Sequence, residues 1–223
     1  MYKRQYACRP FCVRNPDGST RMVINYKPIN DISEDDAYPK PSVPDKLAEF
    51  HGKTIYTQLD IVKAFMNVEI EEESRQYTAF VTKYGSFNFK RMGFGHKNNP
   101  AIWARAADVV FKDCVDLIKY VDDFIIASAG GKDHTAIERH LFAIEQIFEK
   151  MEKHSLKVKL SKCKFFTIRI KFLGQIITPT GRKPDDGYIK RLLQFRHPTS
   201  LKELRSYLGA VEWISKHIYG LKK

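Results

Sequence analysis

The sequence predicts an α+β fold with an antiparallel sheet, and three observations support this prediction. Short apolar runs are paired around turn residues, as at 7–14 and 20–26, which flank an Asn-Pro-Asp-Gly turn at 15–18. Other segments repeat apolar residues at three- and four-residue steps, which is the period of an amphipathic helix. The strands and helices follow one another without a regular β-α-β alternation, so a doubly wound parallel sheet is not expected.

The first half of the chain combines this hairpin with a proline-rich connection and further strands. Residues 30–45 are polar and contain three prolines, which predicts an irregular connection that leads into a short helix over 44–50. The apolar run at 53–60 predicts a strand that ends on an acid. Segments 76–83 and 86–92 predict a second hairpin.

The second half contains the predicted helices. Asn99 followed by Pro100 predicts a cap and a helix from 100 to about 113. Segment 133–153 predicts an amphipathic helix, and a Ser-Leu-Lys-Glu capping box at 200–203 opens a third helix. The predicted inward residues are Ile102, Ala106, Val109 and Val110 of the first helix, Ile137, Leu141, Ile144, Phe148 and Met151 of the second, and Leu201, Leu204, Leu208 and Val211 of the third. Strand-like stretches are expected within 165–177.

The charge of the chain predicts a polyanionic partner. Lys and Arg number 38 against 26 Asp and Glu, which leaves a net charge of +12. Nucleic acid is the first candidate and an anionic membrane the second. Neither a membrane-spanning apolar run nor a lipidation motif is present, so no membrane partner is expected. The charged start of the chain excludes a signal peptide, which favours an intracellular protein with reduced cysteines.

The sequence Tyr120-Val121-Asp122-Asp123 is the strongest candidate for chemistry. Apolar runs at 114–120 and 124–128 predict a hairpin with these acids at its tip. Adjacent carboxylates beside apolar strands repel each other and lose hydration unless a cation lies between them. Asp60 ends another apolar strand, and a sheet that places it beside the hairpin would assemble three carboxylates for a pair of Mg²⁺ ions and in-line phosphoryl transfer. The alternative is that both acids occupy an ordinary exposed turn.

Further motifs follow in a characteristic order along the chain. They are DGSTRMVINYK at 17–27, Leu-Asp-Ile at 59–61 with Phe-Met-Asn-Val at 65–68, Phe-Gly at 94–95, Lys-Asn at 97–98 with Pro100, Tyr-Val-Asp-Asp at 120–123, Lys-Cys at 162–163, Phe-Leu-Gly at 172–174 and KELRSYLG at 202–209. With them, the chain resembles the reverse transcriptase domain of long-terminal-repeat retroelements, in the group of gypsy-type retrotransposons and pararetroviruses. It departs from the common pattern at Lys63-Ala64 and Trp103-Ala104, and no departure removes a predicted metal ligand.

The resemblance implies a right-hand polymerase architecture. Its parts would be an antiparallel-sheet palm, partial fingers and a small helical thumb. The implied boundaries are fingers over 1–58 and 76–99, palm over 59–75 and 100–177 with a primer-grip hairpin, and a partial thumb over 178–223.

The activity implied by the resemblance is that of an RNA-directed DNA polymerase, a nucleotidyltransferase that extends a primer 3′-hydroxyl with deoxynucleotides on an RNA or DNA template. The implied cofactors are two Mg²⁺ ions, with Mn²⁺ as a substitute. The implied partners are the template–primer duplex, deoxynucleoside triphosphates and a ribonuclease H domain that is separate or removed, in the cytoplasm or a virus-like particle. Two alternatives stay open: a non-catalytic nucleic-acid-binding remnant, and an RNA-dependent RNA polymerase. The second is disfavoured by Phe65, to which the resemblance assigns the exclusion of a 2′-hydroxyl.

The resemblance also assigns roles to individual residues. Asp60, Asp122 and Asp123 would hold the metal ions, with the backbone of Ile61 near the triphosphate, and Lys162 would protonate the leaving pyrophosphate. Phe65 would pack under the deoxyribose and exclude a 2′-hydroxyl. The remaining assignments are Arg14, Arg21 and Tyr120 at the nucleotide, Gly95 where the nucleotide and template approach the backbone, and Phe172, Leu173 and Gly174 in the primer grip.

Overall fold

The computed structural model describes residues 7–14, 18–39, 41–130, 134–218 and 220. The strands are β1 (Pro10–Arg14), β2 (Thr20–Ile24), β3 (Lys53–Asp60), β4 (Phe80–Thr82), β5 (Gly85–Phe87), β6 (Leu117–Tyr120), β7 (Asp123–Ala129), β8 (Lys164–Thr167), β9 (Ile170–Phe172), β10 (Gln175–Thr178) and β11 (Gly181–Pro184). The helices are α1 (Lys27–Ile32), α2 (Val43–Ala48), α3 (Asn99–Val110), α4 (His134–Lys153), α5 (Asp186–Leu193) and α6 (Leu201–Ile214).

A four-stranded antiparallel sheet in the order β6-β7-β3-β8 forms the centre of the fold. Along the chain, the hairpin β1-β2 precedes β3, and the hairpin β4-β5 lies between β3 and β6. A three-stranded sheet in the order β11-β10-β9 follows β8. The α+β fold with antiparallel sheets is therefore confirmed. The predicted turn of the first hairpin includes residues 15–17, which lie outside the described residues.

Strand β7 is buried on both faces, and this explains why its sequence is almost continuously apolar. Phe124 and Ile126 pack on one side in a cluster with α3 and α4. Ile125 and Ala127 pack on the other side with the hairpin β9-β10 and α2. Because successive side chains of a strand point to opposite faces, one strand anchors both layers. The end of β7 that begins at Asp123 is thereby held in place.

A buried histidine ties the helical layer to the sheet. His140 of α4 is fully buried, with Nε2 2.8 Å from Oγ1 of Thr57 on β3 and Nδ1 2.9 Å from Oγ of Ser128 on β7. Both ring nitrogens thus have partners, which a buried polar group requires. Burial lowers the pKa of His140 below its ordinary value.

This histidine makes the stability of the fold depend on pH. Below pH of about 6.5 the unfolded chain binds a proton at His140 that the folded chain binds less readily, so the free energy of unfolding falls as the pH falls. We expect His140→Gln to flatten this dependence between pH 7 and 5 in urea unfolding. His154→Gln, at an exposed position just after the same helix, is the matched control and should leave it unchanged. Equal slopes in the wild type and His140→Gln would contradict the prediction.

Several elements differ from the sequence prediction. Part of the predicted irregular connection is helix α1, in which Pro28 occupies the first turn and Ile29 is buried. The first three residues of the strand predicted over 76–83 belong to a 3₁₀ helix, Glu72–Thr78, and the strand itself, β4, covers only Phe80–Thr82, so its hairpin is shorter than expected. Helix α2 and strand β3 are confirmed, the latter at both ends. No helix among the described residues is long and apolar enough to cross a membrane.

The predicted buried faces of the helices were partly wrong. In α3 the buried residues are Asn99, Ala101, Trp103 and Ala107, whereas Val109 is 74% exposed. In α4 the core contains Ala136, His140, Ala143, Ile144, Ile147 and Met151, while Ile137 and Leu141 are exposed. The buried face of each helix also contains small residues, such as Ala107 and Ala143, so the positions of the large aliphatic side chains alone do not identify it. In α6 the predicted core residues Leu201, Leu204 and Leu208 are exposed, and Leu204 and Leu208 border an open groove beside α5.

The N-terminus of α3 also differs from the prediction. The cap is Asn98 rather than Asn99, and the buried Asn99 side chain instead donates to the carbonyl of Gly93. At α6 the predicted cap is confirmed, because Ser200 Oγ accepts from the backbone N–H of Glu203 at 3.2 Å. The boundaries of fingers, palm and thumb stay predictions.

Candidate active site

Three aspartates gather at one edge of the central sheet. The antiparallel register of β3 and β7 places Asp60, the last residue of β3, opposite Asp123, the first residue of β7. Asp122 lies in the tight turn between β6 and β7, next to Val121 with φ of 55°. Strand register therefore brings together the three acids that the sequence singled out.

A cleft of about 490 Å³ opens at these acids. Seven residues singled out from the sequence line it: Asp60, Ile61, Asp122, Asp123, Lys162, Leu173 and Gly174. Lys164 and Lys171 also line it, although the sequence assigned neither of them a role in the site. The sequence feature that indicates a role for them is the alternation of basic and aromatic residues at 162–171, which suits phosphate contact beside a base or a sugar. The cleft thus combines an acidic end with a basic wall.

The acidic end brings three carboxylates together, and Lys162 compensates only part of their negative charge. Burial, with the neighbouring Asp122 and Asp60 carboxylates, raises the pKa of Asp123 to about 6. The Lys162 ammonium is 3.3 Å from Asp60 Oδ2. Among the residues that the structure describes, no three His, Cys, Asp or Glu side chains stand close enough to share a metal ion. Carboxylates that share one end of a cleft repel each other, and a divalent cation, which prefers hard carboxylate oxygens, would offset this repulsion.

Backbone pairing positions Lys162 beside the acids. The carbonyl of Asp60 accepts from the N–H of Lys159 at 2.9 Å, and the N–H of Val62 donates to Lys157 at 2.7 Å. Ile61 forms an isolated antiparallel bridge with Val158 between them. The N–H of Lys162 then donates to Lys159 at 2.8 Å and closes a short 3₁₀ turn. The chain after α4 is therefore fixed to the end of β3, where Lys162 reaches Asp60.

The hairpin β9-β10 also lines the cleft. Its two turn residues, Leu173 and Gly174, have φ of 46° and 73°, as a two-residue type I′ turn requires. Phe172 does not reach the cleft, because it is 1% exposed and packs against Phe50 and Tyr120. Of the three residues assigned to the primer grip, the structure therefore presents two to the cleft and buries the third beneath them.

The other candidate residues lie outside the lining of the acidic cleft. Phe65 packs edge-on against Phe94 with ring centroids 5.9 Å apart, and the guanidinium carbon of Arg21 lies 5.9 Å from the Phe94 ring. Arg14 pairs with Thr20 whereas Arg21 pairs with Val13, so the two arginines point to opposite faces of the hairpin β1-β2. Arg21 is thus linked to Phe65 through the ring of Phe94.

Gly95 and Tyr120 border other parts of the molecule. Gly95 has φ of 107°, and a Cβ built there would lie 3.3 Å from the carbonyl oxygen of Ile24, so a side chain would be strained. It lines an open groove of about 610 Å³ with Phe11, Tyr26 and Asn30. The turn between β6 and β7, which contains Val121 and Asp122, is called the acidic turn below. Tyr120 packs behind it rather than in the cleft. The roles assigned to these residues stay predictions.

One contact of the acidic turn was missed from the sequence. The indole Nε1 of Trp103 donates to the carbonyl of Val121 at 2.7 Å. The sequence marked Trp103 only as an unusual residue. Its contact depends on how α3 crosses the hairpin β6-β7, which no local pattern reveals.

Comparisons with known proteins agree with the geometry. The family model described as reverse transcriptase (RNA-dependent DNA polymerase) matches residues 13–177. The chain is 35% identical over 211 residues to the retrovirus-related Pol polyprotein from transposon 297 of Drosophila melanogaster, covering 92% of the chain and 19% of that protein. It is 29% identical over 214 residues to the transposon Tf2-3 polyprotein of Schizosaccharomyces pombe, covering 95% and 16%. The chain thus spans about a fifth or less of the length of these relatives.

Solved structures share the fold. A foamy viral protease-reverse transcriptase in complex with double-stranded DNA superposes with a TM-score of 0.84 at 24% identity, over 96% of this chain and 38% of that one. A second structure, of the foamy viral enzyme in complex with an RNA/DNA hybrid, gives 0.78 at 24% identity over 93% and 27%. These matches establish the palm, fingers and thumb architecture.

Proposed function

This chain belongs to the reverse transcriptase (RNA-dependent DNA polymerase) family, and we propose that it extends a primer 3′-hydroxyl with deoxynucleotides on an RNA or DNA template. The observation that carries the proposal is the convergence of Asp60, Asp122 and Asp123 with Lys162 in one cleft. The foamy viral structures, solved with double-stranded DNA and with an RNA/DNA hybrid, support a nucleic-acid duplex as the partner. The intracellular location predicted from the sequence also stays a proposal.

The metal requirement follows from the electrostatics of the acidic end. Asp60, Asp122 and Asp123 would hold two divalent cations, with the backbone of Ile61 beside them. Magnesium is the natural ion because it prefers a few carboxylate oxygens completed by water and substrate phosphate, and Mn²⁺ would substitute for it. When bound, two such ions activate the attacking hydroxyl and stabilise the leaving oxygen of an in-line displacement.

The protein's own residues would supply alignment and protons. Lys164 and Lys171 line the cleft, where they would contact phosphates of the duplex. The turn Leu173-Gly174 lines the same cleft as the acids, and the primer terminus would lie against it. Lys162, placed 3.3 Å from Asp60, would donate a proton to the leaving pyrophosphate. Alignment of the reactants in this cleft accounts for much of the expected rate enhancement.

Primer extension tests this proposal. A labelled DNA primer is annealed to RNA and to DNA templates and incubated with deoxynucleotides, or with ribonucleotides, in Mg²⁺, Mn²⁺ or EDTA. We expect cation-dependent extension on both templates with deoxynucleotides, and none with Asp122→Asn. Asp113→Asn, an exposed carboxylate remote from the cleft, is the matched control.

The same experiment separates the alternatives. Extension with ribonucleotides in preference to deoxynucleotides would favour an RNA polymerase. Salt-sensitive binding of the duplex by the wild type and Asp122→Asn, without extension by either, would favour a non-catalytic binding module. Either result would overturn the proposed function.

A further inference from the structure

We propose that Trp103 is a positioning residue that holds the acidic turn in its active geometry through its hydrogen bond to the carbonyl of Val121. This inference rests on the proposed function and adds a residue to it. Trp103 lies on α3, outside the cleft, and lines no part of it among the described residues. Its role would be exerted through the backbone of the turn.

The turn needs a restraint because Val121 is in an unfavourable conformation. Its φ of 55° lies in the left-handed region, which a β-branched side chain rarely adopts. Val121 directly precedes Asp122 in the turn, so its backbone angles affect the direction of the Asp122 carboxylate, whereas Asp123 is placed by the register of β7 with β3. Without an external contact, the turn would relax towards conformations that direct the Asp122 carboxylate away from Asp60.

Trp103 contacts the turn on both sides of the acids. Its Nε1 donates to the carbonyl of Val121 at 2.7 Å, and its ring packs against Phe124 with centroids 6.3 Å apart. Phe124 directly follows Asp123, so one side chain touches the residues before and after the acidic pair. Trp103 is 2% exposed, and a buried indole N–H requires an acceptor. The structure gives it the carbonyl of the strained residue.

A double-mutant cycle tests this role. Trp103→Phe keeps an aromatic ring but removes the donor, and Val121→Gly removes the conformational cost of the left-handed region. In single-turnover extension we expect Trp103→Phe to lower the maximal rate about tenfold, with less than about twofold change in the dissociation constant for the deoxynucleotide. In the Val121→Gly background the same substitution should cost less than about threefold, because glycine adopts this conformation without the hydrogen bond.

Phe111→Leu is the matched control for packing. Phe111 contacts Phe124 in the same cluster but makes no hydrogen bond to the turn that the structure describes. It should lower the melting temperature while leaving the maximal rate within about twofold of the wild type. Equal rate losses from Trp103→Phe in both backgrounds, or no loss at all, would overturn the inference, since packing alone would then explain the residue.

Unfolding measurements separate this inference from the proposed function. If the wild type fails to extend primers, the proposed function is wrong, and the same four proteins are compared by urea unfolding. Coupling between Trp103 and Val121 in that cycle supports the restraint, and additivity overturns it. If Trp103→Phe alone does not fold, recovery of folding in the Val121→Gly background supports the inference, and no recovery overturns it.

Discussion

Replacing Asp123 with Asn is expected to abolish extension and to stabilise the fold at the same time. Extension should fall by at least about 100-fold, because the variant loses a carboxylate from the proposed cation site. Stability should rise because the folded protein holds this carboxylate against burial and two neighbouring acids, Asp122 and Asp60. The two effects share one cause, which is negative charge concentrated for a cation.

The pH window of the stabilisation follows from the raised pKa. The carboxyl of Asp123 titrates near 6 in the folded protein and near 4 when unfolded, so the folded state binds more protons between these values. The free energy of unfolding therefore decreases as the pH rises from about 4 to 6, and the full penalty is present above 6. We expect Asp123→Asn to gain about 1 to 3 kcal/mol at pH 8, or roughly 2 to 10 °C in melting temperature, and nothing below pH 4.

Thermal unfolding in EDTA and in Mg²⁺ provides the measurement. Mg²⁺ should raise the melting temperature of the wild type by mass action and that of Asp123→Asn much less. Asp113→Asn, whose carboxylate is exposed and lies 4.0 Å from Lys150, should behave as the wild type in every condition. A variant that melts lower than the wild type at pH 8, or that still extends primers, would contradict the prediction.

The predicted acidic site and the mispredicted helix faces differ in what determines them. Asp60 and Asp123 end or begin apolar strands, and such placement is visible in the sequence because burying an acid is costly. Their meeting then follows from the antiparallel register. The buried face of a helix depends on what packs against it, so in α3 the small Ala107 faces the core and the larger Val109 faces solvent.

The role of an individual side chain depends on the same three-dimensional detail. Phe172 was assigned to the primer grip with its two neighbours, but the type I′ turn places only Leu173 and Gly174 at the cleft. Phe172 is the last residue of β9 before the turn, and its side chain packs in the core. A motif of three residues can thus be placed correctly as a segment while its members contribute differently.

Phe65 offers the second large effect, on the choice of sugar. It lies in the 3₁₀ turn Ala64–Asn67, five residues after Asp60, with its ring partly buried against Phe94. Asn67 stiffens this turn, because its Nδ2 donates to the carbonyls of residues 62, 63 and 64 at 3.2 to 3.3 Å. A ring held this firmly could not move aside for an additional hydroxyl, which is the property that a gate against ribonucleotides requires.

We therefore expect Phe65→Val to reduce the preference for deoxynucleotides over ribonucleotides about 100-fold, since an apolar site rejects an added hydroxyl by about this factor. The measurement is kcat/KM for matched deoxy- and ribonucleotides, and the deoxynucleotide value should change much less than the ribonucleotide value. Phe87→Val, which removes an exposed ring from β5, is the control and should leave the ratio unchanged. The ratio for Asn67→Ala should lie between those of Phe65→Val and the wild type, because this substitution loosens the turn but keeps the Phe65 ring. An unchanged ratio in Phe65→Val would remove Phe65 from sugar selection and leave it a role in packing against Phe94.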